Sequence, residues 1–331
     1  MRIALDAMGS DDAPGPELAA VELALNEIPD LNVVLVGMQG MIDAARGRYP
    51  DRVELVPAAE AVGMHEPPNE ALKRKRNSSI AICIDLLREG KVDALVSAGN
   101  TGAVMAFAIT GLGVIPGVYR PTLGVLFPRI RGNTLVLDVG ANVDTKPIQL
   151  LQFGIMGATA ASFFFRKTNP TVGLLNIGRE ESKGNEQTLA AYRLLKESGL
   201  NFIGNVEGHD ILAGHVDVVV CDGFVGNILM KYGEGLAEIL RELLQEYFES
   251  ETQYRWRRWV SKPVLREFIG RMDYQEHGGA LMLGVSGTVV VAHGRSTPRA
   301  LANALKSACQ AVKDNLAEHI SRAFAAQTSS V

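Results

Sequence analysis

The chain has 331 residues, enough for one large α/β domain or for two lobes that share a sheet. Apolar residues make up 47% and charged residues 21%, which excludes a disordered chain and a membrane-spanning one. A net charge of −4 gives no overall pull toward nucleic acid, so any basic docking surface has to be local.

The opening Met-Arg-Ile-Ala-Leu-Asp reads as a first strand rather than a signal peptide, and the chain is expected in the cytoplasm. Strand Ile3–Leu5 runs into the loop Asp6-Ala-Met-Gly9-Ser-Asp-Asp-Ala-Pro14, acidic and glycine-containing but without GxGxxG. Strands follow at Val33–Val36 and Val53–Val56, then a basic run, Lys73 to Arg76. Strand Ala94–Val96 leads into Ser97-Ala-Gly99-Asn100-Thr101-Gly102. Its glycines permit close backbone approach, and the amides that open the next helix make it the best anion site in the sequence.

Leu135–Leu137 is the next strand, followed by Asp138-Val-Gly140-Ala-Asn142-Val-Asp144-Thr-Lys146-Pro147, with carboxylates, an amide and a lysine close together. Val172–Leu175 precedes Asn176-Ile-Gly178-Arg-Glu180-Glu-Ser-Lys183-Gly184-Asn185. Phe202–Ile203 precedes Asn205-Val-Glu207-Gly208, and Val216–Val220 precedes Cys221 and Asp222-Gly-Phe-Val-Gly226-Asn227. Apolar residues recur at spacings of three and four from Leu236 to Phe248 and again from Leu301 to Ile320, predicting two long helices. Between them Arg255–Met272 is basic and aromatic. His277 and His293 each precede glycine, and each is open to a structural or an acid–base role.

Strand–helix alternation predicts an α/β fold with a mainly parallel sheet and helices on both faces. Its polar strand-end loops are expected to converge on one crevice. Residues 1–324 read as a single catalytic domain, with a helical excursion facing a membrane or a partner at about 236–272 and a frayed tail over 325–331. The three cysteines, Cys83, Cys221 and Cys309, are scattered and odd in number, which argues against disulfides and zinc. GxSxG, HExxH and P-loop signatures are absent.

Seven blocks, in order, resemble the bacterial phosphate acyltransferase family (PlsX). They are RIALDAMGSDDAP, VSAGNTGAVMA, LDVGANVDTKPIQLLQFGIMG, GLLNIGREESKGNE, IGNVEGHDI, VDVVVCDGFVGN and DYQEHGGALMLGVSGTVVVAHGRS. Departures from the family pattern fall at Ser10, Asp12, Thr145 and Arg179.

The resemblance implies that a fatty acyl group moves from acyl carrier protein to inorganic phosphate, giving acyl phosphate for phospholipid synthesis by a downstream membrane glycerol-phosphate acyltransferase. It implies a homodimer, a fold like isopropylmalate dehydrogenase and phosphotransacetylase, and no metal or other cofactor. On that reading Gly99, Asn100, Thr101 and Gly102 bind phosphate with Lys183. Asn227, Asn185 or Asn142 donates to the oxyanion, and His277 or His293 protonates the leaving sulfur. Asp6, Gly9, Asp138, Asp144, Lys146, Asn176, Gly184, Asn205, Glu207, Asp222 and Gly226 are further candidates for phosphate or acyl binding. Trp256, Trp259, Val260, Leu265 and Phe268, among the arginines of 255–271, suit an anionic membrane surface. The basic run Lys73–Arg76 suits an acidic carrier. Rival readings are a phosphotransacetylase-like enzyme using acyl-coenzyme A, an NAD-dependent dehydrogenase and a non-catalytic membrane scaffold.

Overall fold

The computed structural model describes residues 1–250 and 278–328. Its first half alternates β1 (Arg2–Asp6), α1 (Gly15–Glu27), β2 (Asn32–Met38), α2 (Gln39–Ala45) and β3 (Val53–Ala58). Then come α3 (Pro68–Arg74), α4 (Ser79–Arg88), β4 (Ala94–Ser97) and α5 (Thr101–Gly111). A β-hairpin follows, β5 (Thr122–Pro128) and β6 (Asn133–Leu137). Next are α6 (Pro147–Phe164), β7 (Val172–Leu175), α7 (Glu186–Glu197), β8 (Phe202–Val206), α8 (Gly208–Ala213), β9 (Val218–Val220) and α9 (Gly223–Ser250). β10 (Ala280–Leu283), β11 (Thr288–Val291), α10 (Pro298–Lys313) and α11 (Leu316–Thr328) close the fold.

Among the described residues, eleven strands form one sheet in the order β3-β2-β1-β4-β11-β10-β5-β6-β9-β7-β8. Seven of its ten pairings are parallel, so the sheet is mainly parallel, as its apolar runs imply. Those runs are continuous because both faces are buried. Ile3 and Leu5 enter a core with α1, α6, α10 and α11, while Ala4 enters a core with α4 and α5.

The centre differs from the expectation. β10 is antiparallel to both β11 and β5, and β5 is antiparallel to β6. The two parallel sets therefore run in opposite directions, but the register staggers them: Val96 of β4, Val290 of β11, Leu137 of β6 and Val220 of β9 share one level, so the carboxyl-end loops of both sets converge over the centre of the sheet, as expected. What lies between them is a face of the antiparallel centre.

The second predicted long helix is two helices. Asn315 has φ +47, and this left-handed residue ends the run after Lys313 before α11 restarts it. α11 runs on to Thr328, past the start of the expected frayed tail.

The second parallel set is fastened beneath β9 by Asp217, whose carboxylate is almost fully buried. It accepts from Lys167 Nζ at 2.5 Å, the Thr171 N–H at 2.8 Å and the Thr171 hydroxyl at 2.9 Å, with Arg129 at 3.5 Å. Burial raises its pKa, but Lys167 and Thr171 outweigh that and hold it below 3.8. This stabilisation is present above the unfolded value and is lost as pH falls through the lower folded one. Asp217→Asn should cost about 2 kcal/mol in urea unfolding at pH 7, less below pH 4. An equal loss at both pH values would show that the carboxylate charge is not what stabilises.

Candidate active site

A cavity of about 300 Å³ opens on the face of the antiparallel centre. Leu123, Val125 and Val291 give it an apolar floor, Val139 and Gly140 one side, and Thr101 and His293 the other. Helix α9 covers it with Asn227, Met230, Lys231 and Glu234. These recur at i, i+3, i+4 and i+7, so one stripe of the helix faces the cavity.

The Thr101 and His293 side is built by three strand ends. Asp6 is fully buried and accepts from the Met8 N–H at 3.1 Å and the Ser97 hydroxyl at 2.7 Å. Burial pushes its pKa up. The Gly99 N–H donates in turn to Ser97 Oγ at 3.1 Å. Gly9 lies flat on this turn, where a Cβ would stand 2.7 Å from the Gly99 nitrogen. Asn100 caps α5, its Oδ1 accepting from the Ala103 N–H at 3.1 Å. Its amide donates to the Met64 and Glu66 carbonyls, both at 2.9 Å. The amides that open α5 at Thr101 and Gly102 have no partner within the helix, so positive potential is aimed at the cavity.

His293 follows β11, which is tied to β4 by the Ala292 N–H donating to the Ser97 carbonyl at 2.8 Å. The Arg295 N–H donates to His293 Nδ1 at 3.1 Å. The proton of the neutral ring therefore sits on Nε2. Burial first, then the charges of Arg295 and Lys231, push the His293 pKa down, against the opposing pull of Asp11. The ring is thus held neutral, as a donor, near neutral pH.

On the opposite side Asp138 is buried and organises its own loop. It accepts from the Leu123 and Ala141 N–H groups, both at 3.1 Å, the Asn142 N–H at 2.6 Å and the Asn142 amide at 2.9 Å. Burial raises its pKa. The Asn142 amide also donates to the Pro121 carbonyl at 2.8 Å, so both its hydrogens are used within the loop. Helix α9 begins on this loop. The Gly223 N–H donates to the Asn142 carbonyl at 2.8 Å, and Asp222 accepts from the Val225 N–H at 2.8 Å. At Gly226 a Cβ would overlap the Asp138 carbonyl oxygen and stand 2.9 Å from the Cys221 sulfur. Cys221 is buried, and burial pushes its thiol pKa well up, so it is a packing residue.

A further layer lies outside this loop. Gln187 donates to the Thr145 carbonyl at 2.7 Å and joins the start of α7 to the loop that carries Asp144 and Lys146, both exposed. Asn185 caps α7 through the Thr188 N–H at 2.9 Å. Asn176 donates to the Lys183 carbonyl next to Gly184, and Asn205 to the Glu180 carbonyl. Lys183 itself is exposed. Glu207, His209 and Asp210 form a metal-like grouping. The Arg179 guanidinium, 2.7 Å from Asp210 and 3.7 Å from Glu207, already supplies the positive charge there.

Of the residues singled out by sequence, the cavity brings together Thr101, Asn227 and His293. Asp6, Gly9, Asn100, Asp138, Asn142, Asp222 and Gly226 shape its walls from behind. Asn176, Asn185, Asn205 and Glu207 hold the outer layer. His277, Trp256, Trp259, Val260, Leu265 and Phe268 lie outside the described residues. Glu234 and Lys231 are not among the residues singled out by sequence. The helical spacing from Asn227 onward is the signal that finds both.

The cavity thus joins an apolar floor to an end that carries Thr101, Lys231 and His293, on an open α/β sheet. The fold is shared with a phosphotransacetylase from Streptococcus pyogenes (TM-score 0.63, 16% identity, 95% of this chain and 94% of that one). It is shared also with the EutD phosphotransacetylase from Staphylococcus aureus (TM-score 0.59, 15% identity, 95% and 94%). The family model described as "Fatty acid synthesis protein" matches residues 1–319. The phosphate acyltransferase of Pelotomaculum thermopropionicum is 47% identical over 97% of this chain and 94% of its own length. That of Nostoc punctiforme is 45% identical over 97% and 95%. The chain belongs to this phosphate acyltransferase family and is a transferase.

Proposed function

We propose that the chain transfers a fatty acyl group from acyl carrier protein to inorganic phosphate, releasing acyl phosphate for phospholipid synthesis. The observation that carries this reading is the cavity, which joins an apolar floor to Thr101, Lys231 and His293. Phosphate sits at the α5 N-terminus between His293 and Lys231, and the acyl chain lies along Leu123, Val125 and Val291. A phosphate oxygen attacks the thioester carbon, the C–S bond breaks, and sulfur leaves with the bonding pair. Monohydrogen phosphate plus thioester thus give acyl phosphate plus thiol, the proton ending on sulfur. A thioester is already activated, so holding the two reactants together and donating to the oxyanion supply most of the rate. We assign that donation to Asn227, which lines the cavity. Among the described residues its side chain has no partner.

Lys183 stands one loop out on the same side and meets the incoming anionic groups. Lys183→Ala should lower turnover by about a hundredfold with the circular dichroism unchanged. Near-normal turnover would remove it from the mechanism. The donor is tested by comparing thiol release from a palmitoyl carrier protein and from palmitoyl-coenzyme A. Preference for the carrier supports the reading. Preference for coenzyme A moves the chain toward the phosphotransacetylases whose fold it shares.

The chain works in the cytoplasm as a homodimer that rests on the membrane surface. No helix of the described residues is long and apolar enough to cross a membrane. On α9, Ile228, Tyr232, Ile239 and Leu243 are each more than half exposed, and we assign this stripe to the second subunit. Ile239→Asp with Leu243→Asp should then sediment as a monomer. An unchanged dimer mass would place the interface elsewhere.

A further inference from the structure

The cationic end of the cavity contains a carboxylate that the transfer reaction does not by itself require. Glu234 lines the cavity one helical turn after Lys231, half-buried, in the same lining as Thr101 and His293. The charges of Lys231 and Arg295 both act on Glu234 and on His293, so these four groups share one small region, with Asp11 at its edge. Yet among the described residues Glu234 forms neither an ion pair nor a hydrogen bond, and Lys231 forms no ion pair. A half-buried carboxylate left unpaired beside two cations has an acceptor to offer. In a site for a fully deprotonated anion it would be a liability, since two like charges in contact repel strongly.

We infer that Glu234 is the specificity residue of the anion site, accepting the P–OH hydrogen of monohydrogen phosphate and thereby excluding tetrahedral anions that carry no proton. The inference rests on the placement of phosphate given above. Near neutral pH monohydrogen phosphate has one proton to donate and three bare oxygens, whereas sulfate of the same shape has none. Lys231, the α5 amides and His293 Nε2–H suit bare oxygens, and Glu234 suits only a protonated one. Carboxylate and sulfate oxygens forced together leave both without a hydrogen bond, a mismatch that discriminates far more strongly than a lost apolar contact. The same bond fixes which oxygen is protonated and turns the bare ones toward the thioester. Burial raises the Glu234 pKa while Lys231 and Arg295 oppose it, which suits a group that holds a shared proton.

The test is sulfate competition against phosphate in carrier-thiol release, with the full chain at pH 7.5. The wild-type protein should be inhibited by sulfate only at concentrations about a hundredfold above the phosphate KM. Glu234→Gln keeps the shape but offers an N–H. Sulfate inhibition should tighten at least about tenfold while the phosphate KM rises. Glu234→Ala should also lose the preference, by removing the repulsion without adding a donor. Strong sulfate inhibition of the wild type, or an unchanged sulfate-to-phosphate ratio in Glu234→Gln, would overturn the inference. The phosphate KM of Lys231→Ala separates the two levels. If it is unchanged, phosphate does not bind here and both readings fall. If it rises while Glu234→Gln retains the wild-type preference, only the role of Glu234 falls.

Discussion

Replacing Gly226 by alanine should lower stability by about 3 kcal/mol and turnover by roughly a hundredfold. The added Cβ would overlap the Asp138 carbonyl oxygen and press on the Cys221 sulfur, and neither can retreat. Asp138 is fixed by four hydrogen bonds from Leu123, Ala141 and Asn142, and Cys221 lies in the core beneath the sheet. The start of α9 must therefore lift. Asn227 comes one residue later and Lys231 a turn beyond, so the lift carries both away from the Thr101 and His293 side. Urea unfolding and phosphate-dependent turnover check the two effects. Wild-type stability would show that the loop yields, and wild-type turnover that α9 does not set the cavity geometry.

Lys231→Ala should raise the phosphate KM by about tenfold to a hundredfold, the worth of one charge-assisted hydrogen bond in a partly buried site. The fold should be untouched, because Lys231 is exposed on one edge and pairs with nothing among the described residues. His293 reports on the same change. Lys231 lowers its pKa, so removing the cation should let that pKa rise toward 6.5. Proton NMR of the His293 ring reads this directly. A raised KM with an unmoved ring pKa would mean that Lys231 meets phosphate farther from His293 than the cavity suggests.

The fold was legible in the sequence wherever both faces of a strand are buried. Val33–Val36 and Leu135–Leu137 are unbroken apolar runs and each is a strand at or close to those limits, while the expected Val216–Val220 is a strand only over Val218–Val220, after the polar Asp217. Three strands escape the sequence reading, and two of them, β10 and β5, are those that reverse the sheet. Ala280–Leu283 carries no β-branched residue, and Thr122–Pro128 contains glycine and ends in proline, so local propensity argues against both. Thr288–Val291 has the β-branched signal and is as long as β4 and β7, which the sequence does reveal, so nothing in its own residues accounts for the omission.

The candidate site divides in the same way. Loops announced themselves by Gly, Asn and Asp, and many of those residues hold the backbone that shapes the cavity, as Asp6, Asn100 and Asp138 do. The side chains that face the cavity from α9 sit in a helix whose apolar exposed stripe dominates its periodicity. Asn227, Lys231 and Glu234 form the quieter stripe on the other side, visible once the helix has a face to cover.

The most direct measurement is release of free carrier thiol from a long-chain acyl carrier protein, with and without phosphate, with hydroxylamine present to trap acyl phosphate. Release that requires phosphate and yields acyl hydroxamate in equal amount is the expected result. Release at the same rate without phosphate, or no release at all, would mean that the chain does not carry an acyl group from the carrier protein to phosphate.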